Sequence, residues 1–185
     1  MKATGIVRRI DDLGRVVIPK EIRRTMRIRE GDPLEIYTDR EGEVIFKKYS
    51  PIGELASFAA QYAETLYKTC NMSVIISDRD SVIACAGVSK KEYTDKQLSD
   101  AVENIRENRG IYVWRSGADK LPVLADGGSH FVSCAMPIIS EGDVIGCVAS
   151  VCDNESEKSK EAIGGDIESK LVLTAAGFLG KQLES

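Results

Sequence analysis

The sequence predicts an α+β protein in two parts, a small arginine-rich β unit followed by a larger antiparallel sheet with helices at both ends of its segment. Three observations predict it. Short runs of β-branched and aromatic residues recur along the chain, separated by reversals rich in Gly, Asp and Pro. Helical spacing is confined to a short stretch after residue 19 and to segments at 52–69, 94–108 and the C-terminus. Charge is divided unequally: residues 1–30 hold nine basic and four acidic side chains, a local +5, while the 185-residue chain has a net charge of −4, which leaves −9 on residues 31–185.

The first unit is predicted over residues 1–50. Ile6, Ile10, Val16 and Ile18 supply the β-formers of two strands, and Leu13-Gly14 after two aspartates supplies the reversal between them. Pro19 suits the first turn of a helix, where its missing N–H costs nothing. In that helix Ile22 and Met26 are four apart and share a face, which turns Arg23 and Arg24 to the side or outward. Gly31-Asp32-Pro33 is a turn; Leu34, Ile36 and Tyr37 form a strand, and Val44-Ile45-Phe46 runs back beside it after the polar reversal 39–43. A unit this small rarely supplies more than about 3–5 kcal/mol alone. Without a disulfide or metal to help, it is expected to be an obligate dimer.

Tyr49-Ser50-Pro51 marks the boundary, and the second domain is predicted over 54–185. From Ile52 to Thr69 the apolar positions Leu55, Ala59, Tyr62, Leu66 and Thr69 step by four and three. Two readings are open for them, a coiled-coil stretch of barely two heptads or, favoured, a helix packed on its own domain, and both hold if one face serves each. Residues 74–76 and 82–86 read as a hairpin about the turn 77–80. Thr94–Asn108 reads as a helix through Leu98, Ala101, Val102 and Ile105, with Gly110 as its stop. Residues 111–114 form a strand, 116–128 a loop, and 131–139 and 144–152 two apolar strands joined by Ser140-Glu141-Gly142-Asp143. Residues 154–165 are polar and expected to be mobile. The last helix starts near Asp166 and is expected to bury Ile167, Leu171, Ala175, Phe178 and Leu179.

Composition excludes several classes. No run of about 18 apolar residues is present, so no membrane span and no membrane partner are expected. The N-terminus turns polar at once, so no secretory signal is expected. The five cysteines (Cys70, Cys85, Cys134, Cys147, Cys152) are odd in number and lack a Cys-x-x-Cys pair, and His130 is the only histidine. Buried thiols in a reducing cytoplasm are expected rather than disulfides, a zinc site or any other cofactor.

Local field governs the attraction of a polyanion more than the global sum does. Eight of the nine basic residues lie between Arg8 and Arg29, and most are arginine, whose planar fork suits phosphate and guanine edges. The bland alternative is surface ion pairing of Arg8, Arg15, Arg23 and Arg24 with Asp11, Asp12 or Glu21. Such pairs contribute only about 0–1 kcal/mol each, a poor reason to gather so many guanidinium groups. Contact with double-stranded DNA is the favoured reading. Lys2, Arg9, Lys20 and Arg27 are secondary candidates for positioning phosphates, and Arg29 is left to solvent. Spacing does not say which arginines read bases.

The first 48 residues resemble the AbrB-like family of bacterial transition-state regulators, through Thr4-Gly5-Ile6-Val7-Arg8, Asp12-Leu13-Gly14-Arg15-Val16-Val17-Ile18-Pro19 and Glu21-Ile22-Arg23-Arg24-Thr25. The resemblance implies that the N-terminal segments of two chains interleave as a swapped-hairpin β-barrel dimer. It also implies DNA contacts from Arg8, Arg15, Arg23 and Arg24. With its long C-terminal part the chain is similar to the sporulation members of that family. That implies a cytoplasmic activator and repressor of late sporulation genes, working in the developing spore compartment. The second part resembles a GAF domain, a sheet-and-helix fold often used to sense small molecules.

For that half a small-molecule effector site and a pure dimerisation module stand about even, since fold alone does not give function. No ligand-binding residue is assigned. The domain is expected to pair dimers into a homotetramer through the helices at 52–69 and from 166. Two other functions fit the residues less well. Five cysteines invite a GAF-type methionine sulfoxide reductase, but Cys147 and Cys152 lie an odd distance apart on one strand, and packing explains them better. An antitoxin-type repressor would end in a short flexible tail, whereas about 130 patterned residues follow here.

Overall fold

A computed structural model describes residues 6–155 and 164–184. It divides into two compact units, 1–49 and 50–185. The elements are α1 (Lys20–Thr25), β1 (Leu34–Thr38), β2 (Val44–Lys48), α2 (Pro51–Glu54), α3 (Ala56–Cys70), β3 (Val74–Ser77), β4 (Val82–Ala86), α4 (Lys90–Tyr93), α5 (Asp100–Glu107), β5 (Tyr112–Val113), β6 (Pro122–Leu124), β7 (Gly127–Ser140), β8 (Asp143–Asp153) and α6 (Gly165–Gln182). The mixture of helices and antiparallel sheet is the α+β class that the sequence predicts.

In the first unit β1 and β2 pair antiparallel with Ile36 opposite Phe46, as expected. The strands expected around 6–10 and 16–18 are not formed within the chain, and only the turn between them is bonded. A strand needs a ladder partner, and the β1–β2 hairpin supplies none to these residues. The consequence is an unfinished core. Pro19 is the only buried residue in 6–49, Val7 is 93% exposed and Val17 70% exposed. Ile10, Leu13, Ile36, Val44 and Phe46 are exposed as well. An isolated two-stranded hairpin is marginal at best in water.

The second unit is built on a six-stranded antiparallel sheet of order β4-β3-β8-β7-β5, with β6 also paired to β7. Both faces of its centre are covered, which is why β3 and most of β8 are buried residue after residue. One face carries α2, α3 and α6, with Ile52, Ala59, Ala63, Leu66, Val148, Val172 and Leu179 in its core. On the other face Ile75, Cys147 and Ala149 pack with Tyr93, Val102 and Ile105 of α4 and α5. The longest hairpin, β7–β8, turns on Glu141 and Gly142, both at positive φ (+49° and +88°), with Ser140 paired to Asp143. Two positive-φ residues match the right-handed strand twist.

The structure corrects three expectations in this unit. The helix expected over 94–108 is confined to α5. Residues 94–99 instead run beside β4, where Asp95 N–H donates to Val82 O (2.9 Å) and Val82 N–H to Lys96 O (3.0 Å). That segment covers the sheet edge, and Ser99 restarts the chain as an N-cap accepting from Val102 N–H. The loop expected over 116–128 contains β6. The last helix buries Val172, Ala175, Ala176, Leu179 and Gly180, while Ile167 and Phe178 are exposed. The helix at 56–70 turns Ala59, Ala63 and Leu66 into its own domain, as the second of the two readings expects. The mobility expected for 154–165 falls largely on residues 156–163, outside the described ones.

Candidate nucleic-acid interface

The arginine surface of the first unit is set by one turn and one short helix. At the turn, Asp11 Oδ1 accepts the N–H groups of Leu13 (3.0 Å) and Arg15 (2.8 Å), and Asp11 N–H donates to Arg15 O (3.1 Å). Gly14, at φ +75°, lets the chain reverse there. The second carboxylate oxygen of Asp11 takes Arg15 Nε at 2.8 Å. The backbone N–H of Arg15, with its guanidinium next, holds the Asp11 carboxyl below the usual carboxylate range. The carboxylate therefore stays ionised at neutral pH.

Helix α1 follows Pro19, whose carbonyl accepts from Arg23 N–H (2.9 Å). It stops in a Schellman arrangement: Ile28 N–H donates to Arg23 O (2.8 Å) and Arg27 N–H to Arg24 O (3.3 Å). Arg27 takes the left-handed position at φ +50°, and its carbonyl accepts from Lys48 Nζ of β2 (2.9 Å). The helix is thereby tied to the hairpin.

Each expected residue can now be placed. Arg8, Arg9, Arg15, Lys20, Arg23 and Arg24 are exposed, Arg27 is half-buried at the helix end, and Lys2 lies outside the described residues. Among the described residues Arg8, Arg9, Lys20, Arg23 and Arg24 form no ion pair, so surface pairing accounts for Arg15 alone among the four principal arginines. Of the candidate ion-pair partners Asp11, Asp12 and Glu21, Asp11 is the one brought to Arg15. Its signal is the Asp-x-x-Gly-Arg spacing, which brings residues four apart together only because Gly14 reverses the chain.

Two thiols of the second unit, Cys134 and Cys147, lie buried in its core. Burial pushes the Cys134 thiol up to about 11 and the Cys147 thiol up to about 12, so both are neutral and unreactive near pH 7. Their contribution to stability is complete below the ordinary thiol value of 9.0 and is lost as pH rises toward those raised values, because the unfolded chain ionises first. Thermal melts from about pH 8 to about pH 11 should show the second unit weakening, and less steeply in Cys147→Ala than in the parent. Among the described residues no cluster of His, Cys, Asp and Glu could hold a metal ion, and no helix is long and apolar enough to cross a membrane.

Comparison with known proteins defines the class. Residues 54–184 match the family described as stage V sporulation protein T C-terminal, transcription factor, and residues 7–53 match antidote-toxin recognition MazE, bacterial antitoxin. The chain is 53% identical over 188 residues to stage V sporulation protein T of Bacillus subtilis (strain 168), covering all of this chain and 99% of that one. It is 38% identical over 108 residues to transition state regulatory protein AbrB of the same organism, covering 58% of this chain and 96% of that one. The solution structure of the N-domain of the transcription factor abrB is 65% identical, covers 28% of this chain and 96% of that one, and has a TM-score of 0.26. The protein is a transcription factor of AbrB type, not an enzyme. It belongs to the stage V sporulation protein T family.

Proposed function

We propose that this sporulation regulator binds double-stranded DNA as a dimer, through the arginines of two first units that complete each other's core. Arg8, Arg15, Arg23 and Arg24 make the principal contacts, with Arg9, Lys20, Arg27 and Lys2 positioning phosphates. The observation that carries this reading is the coexistence, in residues 6–49, of exposed guanidinium groups with an apolar surface that buries a single residue. A second copy would add the missing ladder partners for 6–10 and 16–18 and close the barrel. Two-fold symmetry then offers two equivalent arginine surfaces to one duplex.

The second unit is the regulatory and oligomerising half. Support comes from the aromatic cluster of α3 and α6, where Phe58 and Tyr62 each lie 5.7 Å from Phe178, itself 40% exposed. Through these helices dimers pair into a tetramer. A small-molecule effector acts by binding one arrangement of the second units better than another. The protein works on late sporulation genes in the cytoplasm of the developing spore, as activator and as repressor. Although residues 7–53 match an antitoxin family, the folded second unit, with its own two-sided core, separates this chain from a tail-wrapping antitoxin.

Duplex binding by the full chain, measured across salt, tests the reading. The logarithm of affinity should fall linearly with the logarithm of salt, with a slope of about 0.9 for each phosphate neutralised. An absent or salt-independent affinity would overturn it.

A further inference from the structure

Arg15 differs from Arg8, Arg9, Arg23 and Arg24 in being held by a carboxylate. Its Nε is 2.8 Å from Asp11 Oδ2, while Arg8, Arg9, Arg23 and Arg24 form no ion pair among the described residues. Asp11 is not a passing surface partner. Its other oxygen is fixed to the turn by the N–H groups of Leu13 and Arg15, so the carboxylate has one direction to offer. With Nε engaged, the outer edge of the guanidinium is left with its paired terminal N–H groups. The Arg15 side chain is 70% exposed, so that edge is open to a ligand.

Which ligand suits it follows from charge and shape. A carboxylate this close cancels much of the field that would draw a phosphate, and would itself repel one. A neutral base edge suffers no such repulsion. Guanine presents O6 and N7 side by side in the major groove, matched to a two-pronged donor. A side chain already oriented also gives up less rotamer freedom on binding.

We propose that Arg15 reads a guanine in the major groove and that Asp11 is the positioning residue that aims it, while Arg8, Arg9, Arg23 and Arg24 supply attraction to phosphates of any sequence. The assignment rests on the reading of the first unit as a duplex-DNA binder.

The test uses the full-length protein. Duplexes enriched from a random-sequence pool by the parent protein are compared with a scrambled duplex of the same length, at fixed salt. Arg15→Lys keeps the charge but loses the fork. It should weaken binding to the enriched duplex by about tenfold or more beyond any loss on the scrambled duplex, so that the preference falls by that factor. Asp11→Asn can keep the turn through its amide oxygen but gives up the pairing to Nε. It should lower the preference as well, while scrambled-duplex affinity holds or rises, because a negative charge has gone. Replacing the read guanine by 7-deazaguanine, which lacks N7, should weaken the parent and cost Arg15→Lys nothing further. Circular dichroism melts of the variants should match the parent.

Equal weakening on both duplexes, or a preference that survives Arg15→Lys, overturns the assignment. So does a pool that is retained without enrichment of any sequence, which leaves duplex binding itself standing. A pool that is not retained at all removes the underlying reading of the first unit too.

Discussion

Gly180→Ala should cost the second unit about 3 kcal/mol of stability, lowering its melting temperature by several degrees, whereas Gly177→Ala in the same helix should raise stability by up to about 1 kcal/mol. The two glycines lie three residues apart in α6, so helix propensity favours alanine equally at both. What differs is the neighbour. A Cβ at Gly180 would stand 3.2 Å from the Ile139 carbonyl carbon and well inside contact distance of its oxygen, whereas one at Gly177 would meet nothing within 4 Å. Gly180 is where the helix backbone lies directly on β7. Ile139 cannot yield, because it is backbone inside a paired strand. The helix must lift, opening the packing of Val172, Ala175, Ala176 and Leu179. Thermal melts of the full-length pair decide it, and equal effects from both substitutions would contradict the close approach of α6 to β7.

The second large effect falls on function. Replacing Arg23 and Arg24 together by alanine should leave the protein folded and reduce duplex affinity at low salt by at least about tenfold for each arginine, as expected for charge-assisted bonds of roughly 1.5–3 kcal/mol. The slope of log affinity against log salt should flatten by about 0.9 for every phosphate that the variant no longer neutralises. Both arginines are exposed on one turn of α1, and neither forms an ion pair among the described residues. Truncation therefore leaves no buried carboxylate without a partner, and stability should hold. Titration of labelled duplex at several salt concentrations measures both quantities. An unchanged slope in the double variant would remove these two residues from the interface.

Much of this architecture is legible in the residues. The β1–β2 hairpin, the β3–β4 hairpin and the Glu141-Gly142 reversal all follow from apolar runs flanking turn chemistry, a local signal that survives folding. The structure departs from the pattern where tertiary packing overrides it. Leu98 belongs by spacing to a helix with Ala101 and Val102, yet its N–H goes to Asp80 O, because the edge of β4 lies open to a covering segment. Ile167 and Phe178 fit an apolar helical stripe, but the buried face of α6 is set by where Gly180 permits close approach. Gly146 works likewise in β8, where a Cβ would run into the Ser77 carbonyl beside a register shift in β3. No periodicity announces either glycine.

The arginine surface is legible as composition and not as geometry. Counting guanidinium groups locates it, but only the bonded turn separates Arg15, held by Asp11, from Arg8, Arg9, Arg23 and Arg24, which form no ion pair among the described residues. The missing strand pairs at 6–10 and 16–18 carry the opposite lesson. There the residue pattern is that of strands, and the single chain does not form them.

Native-state hydrogen exchange of the full-length protein, followed peptide by peptide over residues 6–18, tests that most directly. If two chains complete one barrel, the amides of 6–10 and 16–18 exchange slowly at assembly concentrations, although a single chain gives them no ladder, and that protection disappears on dilution below the dimer's dissociation. Exchange at the rate of an unfolded peptide, at every concentration, would contradict the intertwined dimer on which the DNA-binding surface depends.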